Sequence, residues 1–231
     1  MSMYSRFLSL ALSTIVVGAT LFTAGCGDDA HRSRLRVVHA SPDAPNVDVL
    51  VDGKTVVANA PYETASAYLT VGSGTRHVEV RATGGTSDVI DAKPSFTPNA
   101  FYTILAVNTL ANIEPLVLTD DNAAPPTGQI KLRLVHAAPS AGPVDIYVEA
   151  PGTDITTVSP TLTNVPFKGV SDYLTVAAGS YEVFITPTGS KTVAIDSGAL
   201  TLAAGQIRTA VALDKLNGGT PLTAIVLSDL N

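Results

Sequence analysis

Residues Arg34-Leu35-Arg36-Val37-Val38-His39-Ala40-Ser41-Pro42 return 97 positions later as Lys131-Leu132-Arg133-Leu134-Val135-His136-Ala137-Ala138-Pro139. At the same displacement Val47-Asp48-Val49-Leu50-Val51 returns as Val144-Asp145-Ile146-Tyr147-Val148. Tyr68-Leu69-Thr70-Val71 returns as Tyr173-Leu174-Thr175-Val176, now 105 positions on, and Leu116 to Asp120 corresponds to Ile225 to Asp229. Any fold for this chain must therefore contain one unit of about 100 residues twice. The extra eight residues of the second copy fall between Glu149 and Ser171, where Ala150-Pro151-Gly152-Thr153 and Ser159-Pro160 read as a longer loop.

Each unit reads as sheet. Val, Ile, Thr and Tyr dominate its apolar segments, and Gly and Pro interrupt them every 8–12 residues or so. Val47 to Val51 alternates, Asp52-Gly53 suits a two-residue hairpin turn, and Lys54 to Val57 returns. Gly72-Ser73-Gly74-Thr75 predicts a second hairpin between Tyr68–Val71 and Arg76–Arg81. No apolar period of 3.6 persists beyond residue 26. About seven strands per copy without crossover helices predict an all-β chain of two tandem antiparallel immunoglobulin-like β-sandwich domains. The copies are expected at 34–121 and 130–231, with a Pro-rich linker over 122–129. Adjacent Pro125 and Pro126 stiffen that linker, so the domains are expected to form a rod or a bent pair whose angle the linker sets.

The segment Val38 to Val49, with His39-Ala40-Ser41-Pro42-Asp43-Ala44-Pro45 at its heart, resembles the opening signature of the bacterial domain of unknown function 4397 family. His136-Ala137-Ala138-Pro139 with Val144-Asp145 is a looser second copy, in which Gly142 stands at the place of Pro45. Tyr68 to Val71 is similar to the tyrosine-bearing strand midway through such domains. The resemblance implies a secreted or envelope β-sandwich module, often on a lipoprotein, and no particular reaction.

The only cysteine, Cys26, follows Phe22-Thr23-Ala24-Gly25. An apolar stretch from Phe7 to Ala24 precedes it, Arg6 lies ahead of that, and Gly27-Asp28-Asp29 follows. This pattern resembles the lipobox of bacterial lipoproteins, in which the cysteine thiol is acylated and the chain is cut before it. Residues 1–25 are therefore expected to be a lipoprotein signal peptide, with 26–33 a tether. Plain secretion and an uncleaved anchor are the other readings; the apolar stretch is short for a span and is interrupted by Ser9, Ser13, Thr14 and Thr20. Gly27 is not the aspartate associated with inner-membrane retention, so an outer-membrane location is expected in a diderm.

The net charge of −6 and the lack of a Lys/Arg cluster argue against nucleic acid as a partner. With one cysteine no internal disulfide forms, and no Cys/His zinc pattern exists. No cofactor or metal is expected. His39 and Asp48 recur as His136 and Asp145, nine residues apart in both copies. They read either as a structural hydrogen bond or as a general-base pair or half of a metal site. The structural reading is preferred, because no serine recurs beside them: Ser41 becomes Ala138. Ser41, Asp43 and Asn46 read as caps for loop amides. Asp43, Asp48, Asp52, Asp120 and Asp121 match no calcium-loop spacing. Tyr62, Tyr68, Tyr102, Tyr147, Tyr173 and Tyr181 build either core contacts or an aromatic platform for sugar.

These features predict a non-enzymatic, lipid-anchored cell-envelope protein that presents two sandwich domains for binding, adhesion or scaffolding. Its partners are the membrane, through acyl chains on Cys26, and an envelope protein or polysaccharide. A carbohydrate- or cell-wall-binding accessory module and a metal-assisted hydrolase using the repeated His/Asp pairs are the alternatives.

Overall fold

The computed structural model describes residues 31–230. The expected signal peptide, 1–25, and the candidate lipidation site Cys26 lie outside these residues.

The first copy contains β1 (Arg32–His39), β2 (Val47–Val51), β3 (Lys54–Ala60), β4 (Leu69–Gly72), β5 (Gly74–Thr75), β6 (Val78–Ala82), β7 (Asp88–Ala92), β8 (Ser95–Phe96), β9 (Phe101–Val107) and β10 (Glu114–Asp120). The second contains β11 (Gln129–His136), β12 (Val144–Glu149), β13 (Leu162–Val165), β14 (Leu174–Ala177), β15 (Gly179–Pro187), β16 (Ile195–Leu202), β17 (Ile207–Leu213) and β18 (Thr223–Leu230). Each copy is a two-sheet sandwich. In the first the sheets run β3-β2-β6-β7 and β10-β9-β1-β4; in the second they run β13-β12-β15-β16 and β14-β11-β17-β18. The chain is thus all-β, as its periodicity predicts. One pair in each copy is parallel, β1 with β9 and β11 with β17. The whole first sheet is traversed between those partners, which supplies the long crossover a parallel pair requires.

The Asp52-Gly53 turn forms as expected, with φ of 52° and 74° at its two residues, the left-handed geometry that matches strand twist. The second expected hairpin does not form. β4 pairs with β1, whereas β6 pairs with β2 and β7, so Gly72 to His77 is a corner between sheets. Arg76 holds that corner, its Nε donating to the Ser73 carbonyl at 2.9 Å. A Cβ on Gly72 would stand 2.9 Å from the Arg76 guanidinium carbon, so a larger residue there would displace the Arg76 side chain; the second copy carries Ala177 at this place. Turn residues alone do not distinguish a hairpin from a corner; the sheet that accepts the next strand does.

The eight extra residues replace the Asp52-Gly53 hairpin tip. Between β12 and β13 the chain makes a 3-10 turn at Ile155–Thr157, capped by Asp154, which accepts from the Thr156 amide at 2.9 Å. Ile155 and Val158 pack on Tyr147 and Phe184, and Lys191 lies over the Tyr147 ring at 4.7 Å. The Lys191 ammonium donates to the carbonyls of Ile155 and Val158. The corresponding first-copy residues, Leu50 and Glu79, are themselves cross-strand neighbours.

Each sandwich has its own core, Leu35, Val37, Val49, Val80 and Ile104 in one, Leu132, Leu134, Ile146, Ile185 and Ala212 in the other. Ile104 corresponds to Ala210, and an apolar cavity of about 30 Å³ lies beside Ala210, walled by Ile146, Ile185 and Leu200. Ala210→Ile is expected to raise stability by about 0.7 kcal/mol, at ~24 cal/mol per Å³ of cavity filled. Urea unfolding would read this, and a lower midpoint would mean that the walls cannot part.

The copies do not form the expected rod or bent pair. Val38, Ala40, Leu105, Val107 and Leu118 of the first pack with Val135, Ala137, Val211, Leu213 and Leu227 of the second in one shared core. The sheets carrying β1 and β11 are therefore back to back, and the molecule is four sheets deep. The reason lies in the central strands. Alternate residues of β1 fill its own sandwich. On the other face Arg32 and Arg34 stay exposed, but Arg36, Val38 and, just past the strand, Ala40 are buried, so the second half of β1 needs cover on both faces. A buried interface, rather than linker stiffness, holds the copies together.

Candidate functional site

The chemistry-bearing residues that recur lie in three places: the buried interface, the loops after β1 and β11, and two edge clefts.

At the interface, Arg36 Nη2 donates to Asp229 Oδ1 at 2.5 Å and Arg133 Nη2 donates to Asp120 Oδ1 at 2.5 Å. Each guanidinium thus pairs with the carboxylate of the other copy. The second contacts, 4.0 Å from Arg36 to Asp120 and 3.9 Å from Arg133 to Asp229, close a neutral ring of four charges. All four side chains are almost wholly buried. The remaining valences are filled in duplicate. Tyr68 donates to Asp120 at 2.7 Å and Tyr173 to Asp229 at 2.9 Å. Thr103 donates to Asp120 and Thr209 to Asp229. Arg36 stacks on Tyr68 at 4.8 Å, Arg133 on Tyr173 at 4.7 Å. Burial and the neighbouring carboxylates push both phenols well above the usual tyrosine range. Arg133 Nη1 also donates to the Thr119 carbonyl, and Arg36 Nη1 to that of Ser228, which occupies backbone acceptors on the edge strands β10 and β18. This network is a two-fold structural lock.

In the loops, the expected imidazole–carboxylate hydrogen bond is not made. His39 Nε2 donates to the Pro45 carbonyl at 3.0 Å, while Nδ1 accepts the Ser41 amide at 3.4 Å. His136 repeats this with the Gly142 carbonyl at 2.8 Å and the Ala138 amide at 3.4 Å. Each ring braces the loop that follows its own strand, and burial lowers its pKa. Asp48 accepts from the Asn59 amide at 2.7 Å and from Thr83 at 3.1 Å. Asp145 accepts from the Asn164 amide and the Gly189 amide, both at 2.8 Å. The Asn59 amide holds the Asp48 carboxyl below its usual range. The pairs separate because residues 40–46 and 137–143 carry the chain from one sheet to the other, rather than between adjacent strands.

Other candidates are placed as follows. Asp43 caps the Leu110 amide at 2.7 Å, in a different loop from its own. Asn46 donates to Asn59 at 2.9 Å, and the Ser41 hydroxyl is buried without a hydrogen-bond partner. Asp121 is held by Lys131, and Asp52 accepts from the His77 amide. Among the described residues no three His, Cys, Asp or Glu side chains converge as a metal site. None of the six tyrosines is exposed. Tyr102 and Tyr147 are core residues, and Tyr62 donates to the Asp214 carbonyl across the interface at 2.7 Å. The tyrosines do not form a platform for sugar.

The clefts are what sequence reasoning missed. One, of about 200 Å³, lies under residues 57–66 and reaches Val47, Val49 and His39. Its counterpart, about 440 Å³, is lined by residues 161–166 and 169–171. Asn59 and Asn164 sit at φ 51° and 53°, Glu63 and Lys168 at 62° and 64°, left-handed geometry repeated at equivalent positions. The signal was Asn59-Ala60-Pro61 returning as Asn164-Val165-Pro166. Asparagine tolerates that backbone, and the proline stops the edge strand.

Both clefts lie toward one end of the body. Tyr62 meets Asp214, the Asn217 amide donates to the Pro42 carbonyl at 2.8 Å, and Lys168 meets Glu114 at 2.9 Å. The loops following β1 thus touch the loops following β17, which is parallel to β11. Both copies point the same way, with the starts of β1 and β11 at the opposite end.

The family described as a domain of unknown function, DUF4397, matches residues 33–147 and 148–231. The seam of the two matches falls inside β12. No curated protein matches the sequence. Among solved structures, the Bacillus anthracis TIE protein is similar at 12% identity and a TM-score of 0.27, over 79% of this chain and 34% of that one. The chain thus spans about a third of that protein. A family 26 carbohydrate-binding module of Eubacterium rectale Amy13K, solved with maltoheptaose, is similar at 12% identity and TM-score 0.28, over 86% and 98% of the two chains. A family 41 α-glucan-recognising module from streptococcal virulence factors gives 11%, 0.28, 78% and 93%. These likenesses are too distant to bear on function. Carrying two tandem copies of the domain, the chain belongs to the DUF4397 family.

Proposed function

We propose that this protein is a non-enzymatic component of the cell envelope, held to the membrane by acyl chains on Cys26 and presenting one rigid body for binding. One observation carries the reading. β1 enters the body at Arg32, six residues after Cys26. Such a tether reaches about 20 Å at most, so the strand-start end lies against the bilayer. The loops at 40–46, 61–66, 108–113, 137–143, 166–171 and 214–222 then face away from it, with the clefts toward that end. In a diderm, Gly27 after Cys26 directs the protein to the outer membrane. The recurring histidines, aspartates and arginines are committed to structural hydrogen bonds, which favours recognition over catalysis.

The partner is an envelope protein or a polysaccharide, taken at the far end. Two or three acyl chains, at about 0.8 kcal/mol per buried CH₂, suffice to anchor durably. Cys26→Ser is expected to abolish palmitate labelling and to release the protein from the membrane fraction. An unmodified first residue on a freely soluble natural product would overturn the reading. Capture from intact envelopes, compared with a variant carrying charge reversals at Glu63 and Lys168, identifies the partner. Retention on purified peptidoglycan or polysaccharide would assign it to glycan.

A further inference from the structure

The interface between the copies is built twice from the same parts. Arg36, Tyr68, Thr103 and Asp120 of the first stand opposite Arg133, Tyr173, Thr209 and Asp229 of the second. Every polar contact of this ring has its mate, whereas Tyr62–Asp214 has none because Phe167 stands at the place of Tyr62. Val38 and Ala40 likewise correspond to Val135 and Ala137, and Leu118 to Leu227. This is an isologous surface in the sense of a two-fold dimer, although both halves belong to one chain. Each copy therefore presents a face complementary to its equivalent, wherever that equivalent comes from.

Only residues 121–128 decide that the equivalent comes from the same chain. The segment reverses direction through Gly128, at φ 79°, whose carbonyl accepts the Ala178 amide at 2.9 Å, and its other bonds are local, the Ala123 amide donating to Asp121 at 3.0 Å. Lys131 Nζ reaches back to Asp121 and, at 2.8 Å, to the Ala123 carbonyl; the Gln129 amide donates to the Pro126 carbonyl at 3.0 Å. We propose that a second copy of this chain is the partner of this buried face. Two molecules exchange their second sandwiches, each first sandwich packing on the second sandwich of the other chain, with the same crossed Arg–Asp ring in both bodies. Because β1 and β11 start at one end, both Cys26 tethers of the exchanged dimer leave from compatible ends and can enter one membrane. The exchange itself does not depend on acylation.

In dilute solution the short linker gives the intramolecular partner an effective concentration in the millimolar range, so the closed monomer predominates. Opening must break the shared core, so exchange requires passage through an unfolded or partly unfolded state. Cys26, the sole thiol, is the probe. Unacylated chain 26–231 is labelled there with donor or acceptor dye, the two preparations are unfolded together, and they are refolded near millimolar concentration. Energy transfer that survives tenfold dilution is expected, with a dimer mass by light scattering. The same preparations mixed while folded should give none. No transfer after refolding would overturn the proposal.

A second arm alters the linker. Replacing Asn122 to Gly128 by seven prolines removes the reversal, since such a segment extends about 3.1 Å per residue and does not fold back. This variant is expected to be dimeric with near-natural β circular dichroism. A folded monomer would overturn exchange. If the proline chain fails to fold, the refolding experiment on the natural chain still decides. Failure of exchange with palmitate labelling intact would leave the proposed anchoring standing, and the reverse result would leave exchange standing.

Discussion

Arg133→Met is expected to lower the unfolding free energy by about 3–5 kcal/mol, the usual cost of removing one partner of a buried ion pair. The loss comes less from the missing bond than from what stays behind. Asp120 would keep its place beneath two sheets with the donations of Tyr68 and Thr103, but its nearest cation would be Arg36 at 4.0 Å. That arginine is already committed to Asp229 at 2.5 Å. Arg36→Met should cost a similar amount by symmetry, and the two together at least the sum, because the double variant leaves both buried carboxylates without even the second cation about 4 Å away. Removing a whole pair, Arg133→Met with Asp120→Leu, should recover most of the loss, since no uncompensated charge is left. Guanidinium unfolding of the natural protein and these four variants measures this. Single variants within about 0.5 kcal/mol of the natural protein would mean that water reaches the ring.

Acidification should destabilise the protein between pH 6.5 and about 5, before ordinary carboxylates protonate. Burial depresses the pKa of His39 and His136, and each Nδ1 lone pair already accepts a backbone amide. The unfolded chain, with ordinary imidazoles near 6.5, therefore binds protons that the folded chain refuses. Stability is fully present above 6.5 and falls as pH drops toward the folded-state values. The slope cannot exceed about 1.4 kcal/mol per pH unit for each ring, or about 2.7 for both. Urea midpoints from pH 7.5 to 5 would trace it. His39→Gln with His136→Gln keeps an amide donor for Pro45 and Gly142 while removing the titration, so the profile should flatten. An undiminished slope in that double variant would place the titration elsewhere.

Much of this architecture is legible in the chain because strand alternation and turn chemistry are local. The Asp52-Gly53 hairpin needs only its own φ values, and the eight-residue excess announces itself as a Pro/Gly-rich run. The corner at Gly72 was not legible, because a corner and a hairpin use the same residues and differ only in which sheet receives β6. The histidine–aspartate recurrence marked residues that matter but not what they touch. A nine-residue spacing is compatible with adjacent strands or with a crossing between sheets. The crossing gives each side chain a different set of backbone partners. Arg36, Arg133, Asp120 and Asp229 were visible as repeated letters, yet a charged residue in an alternating strand reads as solvent-facing. Only the arrival of a second sheet turns that face inward.

The amino-acid sequence by itself determined that this protein is a β unit made twice, with a lone thiol placed where a lipid could join it. Those are properties of neighbours along the chain. The tertiary structure decided that the units share a core, that four charges cross between them, and that both clefts lie toward one end. Those outcomes depend on groups as far apart in sequence as Arg36 and Asp229, 193 residues, brought together by burial of a face whose partner no local pattern can specify.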